Sequence, residues 1–270
     1  MNRDKTLIYV HIHKTAGSTV RTAIERVYGR DKTLKIYNIN GLPLEEFRAM
    51  SQEERDRYDC VIGHFSYGIH RYLGRPSEYA TMLREPVDRA VSLYYYIKRN
   101  PNVPLHRKLV SERISLERYI EEDECGRQAN PQVRFVTGES GSDPALARIY
   151  LADRYAAFGL AERFDESMVM FQRAFGWQTP YYTSRNVTKG RPRLADLPER
   201  LLAKVKRQHA ADVELYRDAR ELFDRRVREQ ERRYFHDLVR LKRVNFFYAA
   251  RLKPVKWLKD RLRAIRGKML

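Results

Sequence analysis

The stretch between residues 7 and 28 constrains the fold most tightly. Leu7-Ile8-Tyr9-Val10-His11-Ile12-His13 is β-branched and aromatic and predicts a buried strand, while Val20, Ile24 and Val27 recur at helical spacing. Only the small-residue turn Lys14-Thr15-Ala16-Gly17-Ser18-Thr19 separates the two patterns. A helix entered this abruptly leaves its first backbone N–H groups without intrahelical partners, and the helix dipole adds to their pull on an anion. The reading is strand, anion loop, helix: Thr15, Ala16, Gly17, Ser18 and Thr19 offer donors to a phosphate or sulfate, and Lys14 adds a full charge. The bland counterpart is an ordinary connection with Ser or Thr as N-cap.

Residue order removes one large class of function. A nucleoside-triphosphate P-loop reads G-x-x-x-x-G-K-[ST], with its Lys after the glycines. Here Lys14 precedes Gly17 and no Walker A match exists, so a nucleotide kinase loses its main support. A second strand pattern, Tyr79 to Leu83, runs into Arg84-Glu85-Pro86-Val87-Asp88-Arg89 and a helix with Pro86 at its first position. Arg84 at the strand end and Ser92 in the helix fall beside the crevice where open α/β sheets bind ligands. Arg supplies a fork for phosphate and Ser a neutral hydroxyl. Another strand pattern, Tyr58 to Ile62, delivers Gly63-His64 to the same edge, and an imidazole there suits a general base near neutral pH.

Together these stretches resemble the sulfotransferases that use 3′-phosphoadenosine 5′-phosphosulfate (PAPS), specifically the carbohydrate family that includes the heparan sulfate and uronyl 2-O-sulfotransferases and bacterial members. That family's 5′-phosphosulfate loop looks like H-I-P-K-T-A-G-T-S, matched by His11 to Thr19, and its 3′-phosphate motif looks like L-R-D-P-V-E-R-x-x-S-x-Y, matched by Leu83 to Tyr94. Val61 to Phe65, Asn130 to Phe135, Phe158 to Ser167 and Asp212 to Tyr216 match in the same order, so the resemblance spans roughly residues 6 to 230. It implies an α/β fold, a P-loop-like parallel sheet flanked by helices. It implies an O-sulfotransferase that takes PAPS as donor, releases 3′-phosphoadenosine 5′-phosphate (PAP), needs no metal, and sulfates a hydroxyl acceptor, a carbohydrate or glycoconjugate.

By the same resemblance His64 and Lys14 are the catalytic residues. The loop Lys14 to Thr19 with Arg84 and Ser92 holds the donor, and Arg185, Asn186, Thr188 and Lys189 belong to a loop that closes over it. His13 stands where the family has Pro and puts an extra imidazole beside the sulfate. His13, His70, Gln132 and Arg134 are the candidate acceptor contacts, and His70, with His11 and His13 nearer still, rivals His64 as the base. His11 and His13 share a strand face, as a metal pair would, but no third ligand is placed to complete a site.

The 270 residues suffice for one large α/β domain, expected over 1–237, with a separate tail over 238–270. The tail holds eleven basic residues and one acidic, which is ten of the chain's net charge of +18. Its apolar residues recur at three- and four-residue spacing, so it predicts a basic amphipathic helix. An anionic membrane surface and packing in a homo-oligomer or within the chain stand level as its role; nucleic acid is disfavoured. Two cysteines, Cys60 and Cys125, without C-x-x-C spacing argue for a reduced compartment and against a zinc site. The short, charged start Met1 to Tyr9 leaves no room for a signal peptide or anchor, so a cytoplasmic protein is expected, peripheral to the inner membrane face if the tail binds lipid. The alternative function is a basic membrane- or nucleic-acid-binding protein of P-loop-like fold without sulfotransferase activity.

Overall fold

The computed structural model describes residues 4–38, 41–122, 129–182, 191–230 and 232–266, with side chains up to residue 251. Five strands form one parallel sheet: β1 (Thr6–Val10), β2 (Thr33–Ile36), β3 (Cys60–Gly63), β4 (Ser77–Leu83) and β5 (Tyr155–Leu160), in the order β2-β3-β1-β4-β5. The helices along the described chain are α1 (Gly17–Tyr28), α2 (Leu44–Ala49), α3 (Gln52–Asp56), α4 (Pro86–Arg99), α5 (His106–Ser111), α6 (Leu116–Glu121), α7 (Pro131–Thr137), α8 (Pro144–Asp153), α9 (Phe164–Phe175), α10 (Glu199–Gln208), α11 (Ala210–Arg228) and α12 (Arg232–Arg266).

Position in the sheet explains the composition of β1. It lies between β3 and β4, and all its residues are buried, as a parallel strand covered by helices on both faces requires. The chain leaves β1 toward the β2 edge and returns past it to β4, so the winding reverses at β1 and a crevice opens beyond its carboxyl end. The strand pattern read through His13 stops sooner. One further ladder bond joins His11 N to Gly63 O at 2.9 Å, and then Lys14 and Ala16 turn the chain with φ of 70° and 65°.

Neighbouring strands close tightly at the same edge. A Cβ on Gly63 would lie 2.0 Å from the backbone oxygen of Ile36, so glycine alone lets β3 end there. The next residue's N–H, that of His64, bonds the same oxygen at 3.0 Å.

The main core joins the sheet to α1, α8, α9 and α11, and a second core lies under α4. There Val87, Val91, Tyr94 and Ile97 meet Leu109, Tyr119, Leu201 and Val205. The helical pattern around 105–119 is divided because Arg113 adopts φ of 50° and Ser115 then caps α6, accepting from Arg118 N at 3.1 Å. The long pattern from 197 breaks at His209, between α10 and α11. α12 runs without interruption through position 238, with Tyr234 and Leu241 fully buried in the main core, so its first turns are part of the globular body. No helix of the described residues is long and apolar enough to cross a membrane.

Candidate active site

A cavity of about 760 Å³ opens at the carboxyl edge of β1 and β4. Its walls include His11, His13 and Lys14 from the loop after β1, Ala16, Gly17, Ser18 and Thr19 at the start of α1, His64 after β3, and Arg84, Ser92 and Tyr96 from β4 and α4. The sheet has therefore gathered residues far apart in sequence at one crevice.

The turn into α1 lacks a side-chain cap. Ala16 is the N-cap residue in left-handed conformation, with no side-chain hydrogen bond to the first turn. Gly17 and Ser18 have N–H groups that precede the first intrahelical donor, and both residues line the cavity. Successive N–H groups around left-handed residues form an anion-binding concavity, and the helix dipole adds to it. Thr15 supports the turn instead of facing the cavity: its Oγ1 donates to Ile12 O at 2.9 Å, and the residue is fully buried. Gly17 is required for packing, because a Cβ there would sit 2.0 Å from the His11 ring, which itself bonds Tyr37 Oη through Nδ1 at 2.8 Å.

His64 has a defined proton arrangement. Its Nδ1 lies 2.6 Å from His11 O, and a carbonyl only accepts, so Nδ1 carries the proton and Nε2 keeps its lone pair. His13 stacks on it with ring centroids 3.7 Å apart and planes inclined by 17°. Burial pulls the His64 imidazole down to about 4 and that of His13 to about 3, the latter helped by the charges of His64, Arg89 and Lys14. Burial holds His11 well below the usual range too, so all three rings are neutral at pH 7.

The cations across the cavity crowd one another. Arg84 donates from Nη1 to Lys14 O at 2.9 Å and from Nε to Asp88 at 2.7 Å, and Arg191 pairs with the other oxygen of Asp88. Burial, then Arg84, Arg99 and Arg191, lowers Lys14 to about 8, and its ammonium lies 4.2 Å from the centre of the Tyr96 ring. Burial and Arg84 likewise lower Arg191 to about 10. One carboxylate, Asp88, serves two guanidiniums beside a third cation, an arrangement that a bound polyanion would relieve. Ser92, nearly buried, lines the same wall.

Four expected residues lie away from the cavity lining. Gln132 is 1% exposed and holds the backbone of Arg84 from behind. His70 directs Nδ1 at Tyr79 Oη, 3.0 Å away. Arg134 is half-buried on α7, and Thr15 faces inward as described. Arg185, Asn186, Thr188 and Lys189 lie outside the described residues, as does Cys125. Sequence reasoning missed Arg191, Tyr96, Glu162, Phe164, Asp165 and Tyr182, all on the cavity wall. Tyr96 lies four residues beyond Ser92 and so on its helix face, Arg191 and Tyr182 belong to the polar, basic stretch 181–192, and Glu162, Phe164 and Asp165 fall within the matched stretch Phe158 to Ser167, so each carried a signal open to reading. Among the described residues no group of His, Cys, Asp and Glu could hold a metal ion.

Residues 1–238 match the family model described as "Sulfotransferase family". Galactose-3-O-sulfotransferase 3 of Bos taurus is 26% identical over 255 residues, covering 82% of this chain and 57% of the relative. The Homo sapiens protein is 25% identical over 244 residues, covering 78% and 54%. The chain thus spans about half the length of the curated relatives it matches. Among solved structures, mouse sulfotransferase SULT7A1 complexed with PAP aligns with 76% of this chain and 64% of that one, at 19% identity and a TM-score of 0.39.

Proposed function

The chain belongs to the sulfotransferase family, and from that premise we propose that it transfers the sulfuryl group of PAPS to a hydroxyl of a carbohydrate or glycoconjugate. The observation that carries the reading is the shared cavity: an uncapped helix start with Lys14, a guanidinium cluster with Ser92, and an imidazole with a bare Nε2.

PAPS has two anionic ends, and the cavity offers a cationic place for each. The N–H groups of Gly17 and Ser18 with Lys14 suit the phosphosulfate, while Arg84, Arg191 and Ser92 suit the 3′-phosphate. His64 Nε2 takes the acceptor's proton as the oxygen–sulfur bond forms and the bond from sulfur to the 5′-phosphate oxygen breaks, the electron pair leaving on that oxygen. Lys14 and the loop amides stabilise the charge that develops on the leaving phosphate, and since the loop is fixed before reaction this costs no rearrangement. A carbohydrate acceptor is supported by the kinship with galactose-3-O-sulfotransferases.

The test is PAP release from PAPS in the presence of galactose-terminated oligosaccharides. Wild type is expected to turn over, His64→Gln to lose about 10²- to 10⁴-fold and Lys14→Ala about 10²- to 10³-fold. A His64→Gln variant as fast as wild type would overturn the base assignment, and a chain that binds no PAP would overturn the whole reading.

A further inference from the structure

α12 is apolar on two separate faces. Tyr234 and Leu241 enter the core, whereas Phe235, Val239 and Phe246 are 59%, 66% and 71% exposed. At 100° per residue the three exposed side chains fall within about 40° of one another, about 130° around the helix from the buried pair, and span about 16 Å of its length. Arg232, Lys242 and Arg243, all exposed, lie on or beside this stripe.

We propose that this face of α12 docks on an anionic lipid bilayer, with Phe235, Val239 and Phe246 at the acyl boundary and the cations among the headgroups. The inference is independent of the sulfuryl-transfer reading. An apolar line flanked by Arg and Lys is the pattern of a helix lying in a membrane interface. Charge decides among occupants: a second copy meeting through a twofold axis would bring the Arg232, Lys242 and Arg243 sets of both copies into one interface with no acidic partner on this stripe, and the sequence beyond adds Lys253, Lys256, Lys259, Arg261, Arg263, Arg266 and Lys268 against Asp260 alone. An anionic headgroup layer instead gains from each cation near its surface.

The other side of the same helix reaches the cavity. Asn245 Oδ1 accepts from Tyr182 N at 2.8 Å, and the Tyr248 ring packs on Tyr181 with centroids 4.8 Å apart. Tyr182 lines the cavity, so the helix that meets the bilayer also holds one cavity wall.

The experiment is co-sedimentation of the full chain with vesicles of phosphatidylcholine alone and with phosphatidylglycerol added. Wild type is expected on the anionic vesicles only. Phe235→Ser/Phe246→Ser and, separately, Lys242→Glu/Arg243→Glu should each lower partitioning at least about tenfold, with the thermal melt and far-UV circular dichroism unchanged as the control for folding. Equal binding to neutral vesicles overturns the proposal, and so does an unaltered phenylalanine variant, which would mean charge adsorption alone. Retention by single-stranded DNA without retention by vesicles, or a dimer that the Phe→Ser pair dissolves, also overturns it.

Discussion

The side-chain amide of Gln132 closes on the backbone of Arg84 from both sides, Oε1 accepting from Arg84 N at 2.8 Å and Nε2 donating to Arg84 O at 2.9 Å. Gln132 is in turn fixed by Asp212, whose carboxylate accepts from the N–H groups of Gln132 and Val133 at 3.2 and 2.9 Å. The guanidinium at the end of β4 is thus aimed by α7 and α11, elements distant from it in sequence. Gln132→Ala removes both bonds and leaves a buried N–H and C=O unpaired, which costs about 1–3 kcal/mol of stability. PAP affinity is expected to fall about tenfold although Gln132 lies outside the cavity lining; calorimetric titration and a thermal melt check both effects.

The ionisable groups of the site predict a bell-shaped pH dependence of kcat/KM. His64 must be neutral to accept a proton, so activity rises as pH passes about 4. Lys14 must be charged, so activity declines as pH rises through about 8. Lys14→Arg keeps its charge and should remove the alkaline limb while the acid limb stays. Initial rates at sub-saturating PAPS and acceptor across pH 3 to 10 read both limbs.

Buried imidazoles also tie stability to pH. His13 and His64 titrate in the folded protein near 3 and 4, below the 6.5 of an unfolded chain, so the unfolded state binds protons first. Stability is whole above pH 6.5 and is lost as pH falls toward 4, with a slope of about 1.4 kcal/mol per pH unit for each imidazole. Urea unfolding at pH 7.5, 6 and 5 measures the slope, and His13→Phe should make it shallower.

Gly17→Ala tests the packing beneath the anion loop. The new Cβ would meet the His11 ring at 2.0 Å, so the ring must leave its bond to Tyr37 or the loop must shift. A loss of about 1–3 kcal/mol in unfolding free energy is expected, together with weaker PAP binding; an unchanged melt and titration would contradict the contact.

Much of this was legible because the strand, loop and helix around Lys14 are encoded locally, by β-branched residues, small residues and helical spacing in succession. Arg84, Ser92 and His64 were placed at the crevice because each follows the end of a strand pattern, and the sheet order brings those ends beside β1. What escaped was set by long-range contact. Nothing near Gln132 announces that its amide faces another strand's backbone, and Arg191 joins the cluster only through Asp88. The tail reads as amphipathic in sequence, yet α12 has apolar residues both in the core and in solvent, because its neighbours and not its own periodicity decide which face is covered.

The most direct measurement is isothermal titration with PAP in metal-free buffer, comparing wild type, Arg84→Ala and Arg191→Ala. The account predicts micromolar binding by wild type, weakened at least about tenfold by either substitution, since each removes a charge-assisted contact of about 1.5–3 kcal/mol. No binding by wild type, or binding indifferent to both arginines, would contradict the placement of the donor in this cavity.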